Sequence, residues 1–370
     1  MKGTALFCAA ILMGGVPTSA PASDLGVNYN GLTRNYQKSD VDRTGAKWVR
    51  AFVDVTRLYK QGASTIGTDP DLMGLVKAHN DGFKVILNLK FNFTGSDFPS
   101  DANSQAFKDL RAFTTQLLDQ VFPSVDIIVV GNEPFIESDP ADRDNDLVLF
   151  YEHMANHVIT YNRNSGRGIP LYVGAFNNLQ EPSWETQAAK DLISYARNTP
   201  GVTGIDLHLH TASIAEMQQA IDWAKAQLGP GKSIISTEFS IKNYFKNQLD
   251  KTINAAFAAQ YGIDPSWKVY QYLNYSLQHP RTRPEWIDFL KDSDWFMSHH
   301  LALENADKLF DSEGLVIATY SLRQSQSSIG DNSDPWMLNA LYCNQSCVPN
   351  PSTGLPQFNY QWIDSFRTRL

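Results

Sequence analysis

Cysteine is scarce: the 370 residues hold three, and one of them, Cys8, lies in the extreme N-terminal segment. Cys343 and Cys347 are left, too few for the four ligands that zinc usually takes. There is no long run of basic residues either. Lys and Arg number 31 against 39 Asp and Glu, a formal net charge of −8. A nucleic-acid partner requires a basic face that neutralises phosphates, so none is expected, and on bulk charge acidic polymers such as pectin or alginate are poor ligands. No internal repeat stands out, and no linker rich in Pro, Ser or Gly divides the chain, which points to one domain.

The N-terminus carries an apolar stretch over residues 5–13, behind Lys2 and ahead of Ala20-Pro21-Ala22. It is too short to span a membrane, and with its small-x-small site it reads as a secretory signal peptide cut after Ala22. The expectation is a signal over residues 1–22, a single domain over 23–370, export to the extracellular space or periplasm, no membrane association after cleavage, and a monomer. In an oxidising compartment Cys343 and Cys347 are expected to close a small disulfide loop. Asn92, Asn274 and Asn344 head glycosylation sequons, which matter only in a eukaryotic host.

Short apolar strands alternate with amphipathic helices. Candidate strands cover residues 25–29, 48–53, 84–89, 126–131, 171–175, 204–209, 233–238 and 315–320. Near-continuous apolar runs fit strands buried on both faces, and the alternation points to a parallel α/β architecture. Helices are expected over 102–121, 147–161 and 214–228, with Asp69 and Asp101 as candidate N-caps. Eight such units predict a (β/α)8 barrel. The stretch 239–313 is long for one connection and predicts a long loop or small subdomain over the site. Within it, residues 267–272 are a possible further strand, and the segment after Gly330 reads as loop closing the barrel's end. Aromatics at 12% suit either a core or sugar stacking.

Reactive groups of such a barrel sit where strands end, at the C-terminal face. Glu133, within Gly131-Asn132-Glu133-Pro134, follows the fourth strand, and Glu238, within Ser236-Thr237-Glu238-Phe239, ends the seventh. The sequence here resembles clan A of the glycoside hydrolases, whose Asn-Glu-Pro signature after strand four is matched by Asn132-Glu133-Pro134. The resemblance rests on few residues by motif. It implies a retaining enzyme that cleaves β-linked poly- or oligosaccharides through a covalent intermediate without a cofactor, with carbohydrate as its partner; endo action is expected, but the sequence itself names neither the sugar, the linkage nor the mode of attack. It makes Glu133 the acid/base and Glu238 the nucleophile. The acid must hold its proton near working pH, so its pKa is expected above its partner's.

The same resemblance implies that Asn132 donates to the sugar 2-hydroxyl, that Arg50 keeps the nucleophile ionised, and that His208 or His210 contacts the nucleophile or the sugar. Asn28, Asn88, Lys90 and Asn177 lie near strand ends, where they are candidates for sugar hydroxyls or helix caps. Tyr320 stands where the clan has an aromatic platform, with Trp295 and Trp336 as alternatives. Two readings compete with this one. One is a barrel that binds carbohydrate without cleaving it. The other is a metal-dependent hydrolase centred on His208 and His210, for which Asp54 is the only further ligand the strands offer; no metal is expected on the favoured reading.

Overall fold

The computed structural model describes residues 23–370, so the segment read as a signal lies outside the described residues. Eight parallel strands form a closed barrel: β1 (Asp24–Asn28), β2 (Trp48–Asp54), β3 (Lys84–Lys90), β4 (Ile127–Val130), β5 (Leu171–Asn177), β6 (Gly204–His210), β7 (Ser233–Ser240) and β8 (Ile317–Ser321). Each strand pairs with the next, and β8 closes on β1, with Gly26 opposite Thr319. The eight expected strands are all present. The last begins at Ile317, because Gly314 ends the preceding helix in a left-handed conformation and Val316 faces solvent.

Alternation along a strand sends every second residue inward, and this sorts the barrel interior into layers. At the N-terminal end Ile86, Ile127, Tyr172, Ile235 and Ile317 pack together with Trp48 against them. One step along, the layer turns polar: Arg50, Asn88, Asp206, Thr237 and Thr319 are all fully buried. Asn28, Phe52, His208 and Glu238 follow at the mouth. Polar groups tolerate such burial only when they are hydrogen-bonded, and here they bond to one another (Thr319 Oγ1 to Thr237 O, 2.5 Å).

The outer helices follow the apolar spacing. Phe107, Leu110, Phe113, Leu117 and Val121 form the buried stripe of the helix Gln105–Val121, as expected. Asp69 caps the helix Pro70–Asn80. Asp101 is no cap: Ser104 accepts from Phe107 N at the start of the helix, and Asp101 accepts from Asn103 N one turn earlier.

The long connection between β7 and β8 is helical. It includes Ala255–Tyr261, Val269–Gln278, Arg283–Lys291 and Ala302–Glu313. The possible strand at 267–272 is instead the start of a helix, because Val269, Tyr272, Leu273 and Ser276 recur at helical spacing on its buried face. This region packs an aromatic group (Phe257, Tyr272, Trp286, Phe289, Trp295) that is continuous with the core around the barrel, and residues 247–313 contribute nothing to the cleft described below. The C-terminal segment continues from β8 through Leu341 N to Ser321 O and Tyr342 N to Leu322 O, and carries the Cys343–Cys347 disulfide. It ends in the helix Trp362–Arg369, where Arg369 pairs with Asp307 at 2.5 Å and with Asp311. Among the described residues no helix is long and apolar enough to cross a membrane.

Candidate active site

Glu133 and Glu238 meet across one cleft at the C-terminal mouth, with a cavity volume of about 310 Å3. A carboxylate oxygen of each lies within 4.8 Å of the other, and of a ring nitrogen of His208 and of His210. Glu133 reaches this position through an unusual turn. Gly131 (φ 121°) and Glu133 (φ 52°) both have positive φ, a conformation that is costly for a glutamate. A Cβ on Gly131 would stand 2.5 Å from Gly174 O, so glycine is required there.

Each carboxylate is held differently. Glu133 Oε1 accepts from Asn177 Nδ2 at 2.6 Å and faces His208 Nδ1 at 3.0 Å, which leaves Oε2 for the cleft. Glu238 Oε1 takes the Arg50 guanidinium, and Oε2 faces His210 Nε2 at 3.3 Å. Arg50 is fully buried and fully engaged: Nε donates to Asn88 Oδ1 (2.9 Å), Nη1 also to Asn28 Oδ1 (3.1 Å), and Nη2 to Asn132 Oδ1 (2.5 Å). A buried guanidinium fixed in this way is a permanent positive charge beside one carboxylate.

The electrostatics follow. Burial alone would push Glu238 up, but the charges of His208 and Arg50 and the His210 hydrogen bond hold it far below the ordinary carboxylate range. Glu133 is lowered as well. Burial raises it and so does Glu238, but the hydrogen bond and charge of His208 prevail and its pKa lies below, not above, the usual value. His208 moves the opposite way: burial lowers it, while Glu238 and Glu133 raise it to a net increase. The proton held here therefore belongs to the Glu133–His208 pair, Nδ1 facing Oε1, and not to Glu133 alone.

Several proposed sugar ligands turn out to be framework. Asn28 is buried and held by its neighbours, accepting from Arg50 and Asn30 N (2.7 Å) and donating to Asn30 Oδ1 (2.6 Å). Asn88 lies a layer below the cleft, donating to Asp206 Oδ2 at 2.9 Å. Arg50 and His208, fully buried, act on the glutamates and offer nothing to a sugar. His210 is bonded to Ser240 Oγ (2.8 Å) and stands edge-on to Trp336, ring centres 5.0 Å apart. Asn132 does line the cleft, and its Nδ2 donates to no described residue. Tyr320 is excluded as a platform by strand parity: Thr319 points inward, so Tyr320 points outward, against Phe239 and Trp362. Trp295 is core, edge-on to Phe245 and Phe289. The aromatic walls are Trp336 and Phe52. Lys90 pairs with Glu137 above the Phe52 ring.

The structure adds Phe52, Glu137, Gln324, Ser325, Asp206 and Thr237 to the residues singled out from the sequence. Phe52 and Asp206 had a signal, since each is two residues from a named inward residue (Arg50, His208). Asp206 bears on His208 through Thr237. Its Oδ1 accepts from Thr237 N (2.9 Å) and its Oδ2 from Thr237 Oγ1 (2.5 Å), while Thr237 Oγ1 lies 3.1 Å from His208 Nε2. While Asp206 is ionised it takes the Thr237 proton, so that Nε2 meets Thr237 as a donor and Nδ1 is the atom that faces Glu133 for proton exchange. Burial raises Asp206, whose charge in turn supports the His208 cation. Asp206→Asn is expected to move the alkaline limb of kcat/KM to lower pH, because it removes a charge that raises His208. A pH–rate profile with an unmoved limb would contradict this role.

Glu133, His208, His210 and Glu238 are also a conceivable metal donor set. Asp54 is not part of it; it caps the helix after β2, accepting from Thr56 Oγ1 and Arg57 N at 2.8 Å. The guanidinium of Arg50 touches Glu238 and lies 3.4 Å from His208 Nε2, and a second cation at that point would meet its charge.

No family model matches this chain, and no curated protein matches it. Solved structures similar to it include a β-glucosidase from Exiguobacterium marinum (9% identity, TM-score 0.48, 94% of this chain and 97% of that one). An intracellular xylanase from Thermoanaerobacterium saccharolyticum matches at 15% identity and TM-score 0.46, over 81% of this chain and 85% of that one. So does a D-psicose 3-epimerase, at 13% identity and TM-score 0.41, over 94% and 96%. Likeness at this level carries no argument about activity, which rests on the side chains above.

Proposed function

We propose that this protein is a retaining glycoside hydrolase of β-linked glycans, with Glu238 as nucleophile and Glu133 as acid/base. The observation that carries the reading is the pair of carboxylates with oxygens within 4.8 Å across an open cleft, one ionised by Arg50 and the other coupled to a proton store. Retaining enzymes place their carboxyl groups about 5–5.5 Å apart, whereas inverting enzymes need about 6.5–9.5 Å to admit a water.

The chemistry follows from the placement. Glu238 attacks the anomeric carbon as the glycosidic C–O bond breaks, and the proton shared by Glu133 and His208 passes from Glu133 to the leaving oxygen. Glu133, now ionised, removes a proton from water, whose oxygen displaces Glu238 and restores both groups. Asn132 Nδ2 faces the cleft as donor to the 2-hydroxyl, and Trp336 offers a ring for a sugar face.

Export with removal of residues 1–22 belongs to the same reading. Ser23 N donates to Asp311 Oδ1 at 2.7 Å, so cleavage after Ala22 would place the new ammonium on a carboxylate. We take the enzyme to be a monomer acting within glycan chains.

Reducing-sugar release from a panel of β-glucans, mannans, xylans and galactans tests the reading. Release from at least one is expected, with none in Glu238→Gln. Binding without release in the wild type would favour a non-catalytic barrel. The four-residue donor set favours the metal-dependent alternative as a second reading. Activity is expected to survive extensive treatment with a chelator; loss on chelation and return with a divalent metal would establish the alternative.

A further inference from the structure

The cleft does not end at the two glutamates. Gln324 and Ser325, leaving β8, form one of its walls and also border a second recess. On the other side of that recess are Asn344 and Gln345, inside the Cys343–Cys347 loop, and Asn35, from the connection after β1. The loop is firmly placed. Gln345 accepts from Gln326 N and donates to Gln326 O, both at 2.8 Å, and Asn344 Nδ2 donates to Gln324 O at 3.4 Å.

The groups that border the recess are otherwise unspent. The side-chain amides of Asn35 and Gln324, the Ser325 hydroxyl and Asn344 Oδ1 bond to no described residue. Beneath them Tyr29 Oη and Arg323 Nε are buried without a partner. The Arg323 charge is answered by the buried carboxylate of Asp40, so the recess offers amides and hydroxyls with no net charge. Such a surface suits a neutral ligand that both donates and accepts several hydrogen bonds.

We propose that this recess is a sugar subsite, built by the disulfide loop, that holds a further neutral pyranose unit of the same chain whose scissile bond lies between Glu133 and Glu238. The proposal rests on the glycosidase reading. It gives the disulfide a task, since the loop it closes supplies the outer wall. It also predicts preference for longer chains, because contacts to a remote unit lower the barrier at the reacting one.

The test compares kcat/KM on aryl β-glycosides of one, two, three and four units, for wild type, Asn344→Ala and Asn35→Ala. The second variant lies outside the disulfide loop and guards against a folding effect in the first. The wild-type value should rise with chain length. In each variant the ratio of longest to shortest substrate should fall about tenfold, as loss of one ligand hydrogen bond implies. Hydrolysis with an unchanged ratio in both variants would overturn the subsite and leave the glycosidase reading standing. No hydrolysis of any glycoside by the wild type would overturn both.

Discussion

Glu238→Gln is expected to lower kcat by roughly ten-thousand-fold or more, the scale of losing a nucleophile. The amide keeps the shape but cannot form the glycosyl ester, and it leaves the buried Arg50 guanidinium facing a neutral group. A cavity variant separates chemistry from folding. Glu238→Gly should be equally inactive, and azide should restore part of the turnover on an activated aryl glycoside, giving the α-glycosyl azide by a single displacement. Normal activity in Glu238→Gly would remove Glu238 from the nucleophile's role.

Glu133→Ala is expected to cost roughly 100- to 10,000-fold on natural glycans, the usual span of general acid catalysis. Aryl glycosides with good leaving groups need little protonation and should lose far less in the first step. The pH profile supplies a second readout. His208 is raised, chiefly by Glu238 and Glu133 overcoming its burial, while Glu133 is lowered because His208 prevails over burial. The pair holds one proton at neutral pH and loses it as pH rises, so wild-type kcat/KM should fall on the alkaline side. Glu133→Ala should abolish that limb. The acid limb should lie well below the ordinary carboxylate range, because Glu238 is held ionised there. A retained alkaline limb in Glu133→Ala would place the shared proton elsewhere.

The barrel was legible because its strands are short apolar runs separated by helical spacing, and the two glutamates because each follows such a run. Strand parity was equally available. It places Phe52 beside Arg50 and Asp206 beside His208 on the inner face, and turns Tyr320 away from it. Parity fails only at the irregularities in β5 and between β6 and β7, which no local pattern announces. Trp336 and the disulfide loop reach the cleft through tertiary packing of an irregular segment, and that has no periodicity to read. That His208 lowers the Glu133 pKa was not legible, because it depends on a ring brought to 3.0 Å from Glu133 by a strand some 75 residues later.

The most direct test of the account is labelling with a 2-deoxy-2-fluoro-β-glycoside of the sugar that the polymer panel identifies, followed by mass analysis of the digested protein. The account predicts a stoichiometric adduct, one fluoroglycosyl unit, on the peptide containing Glu238, with activity lost in step. An adduct on Glu133, or continued turnover with no covalent species at any time, would contradict it.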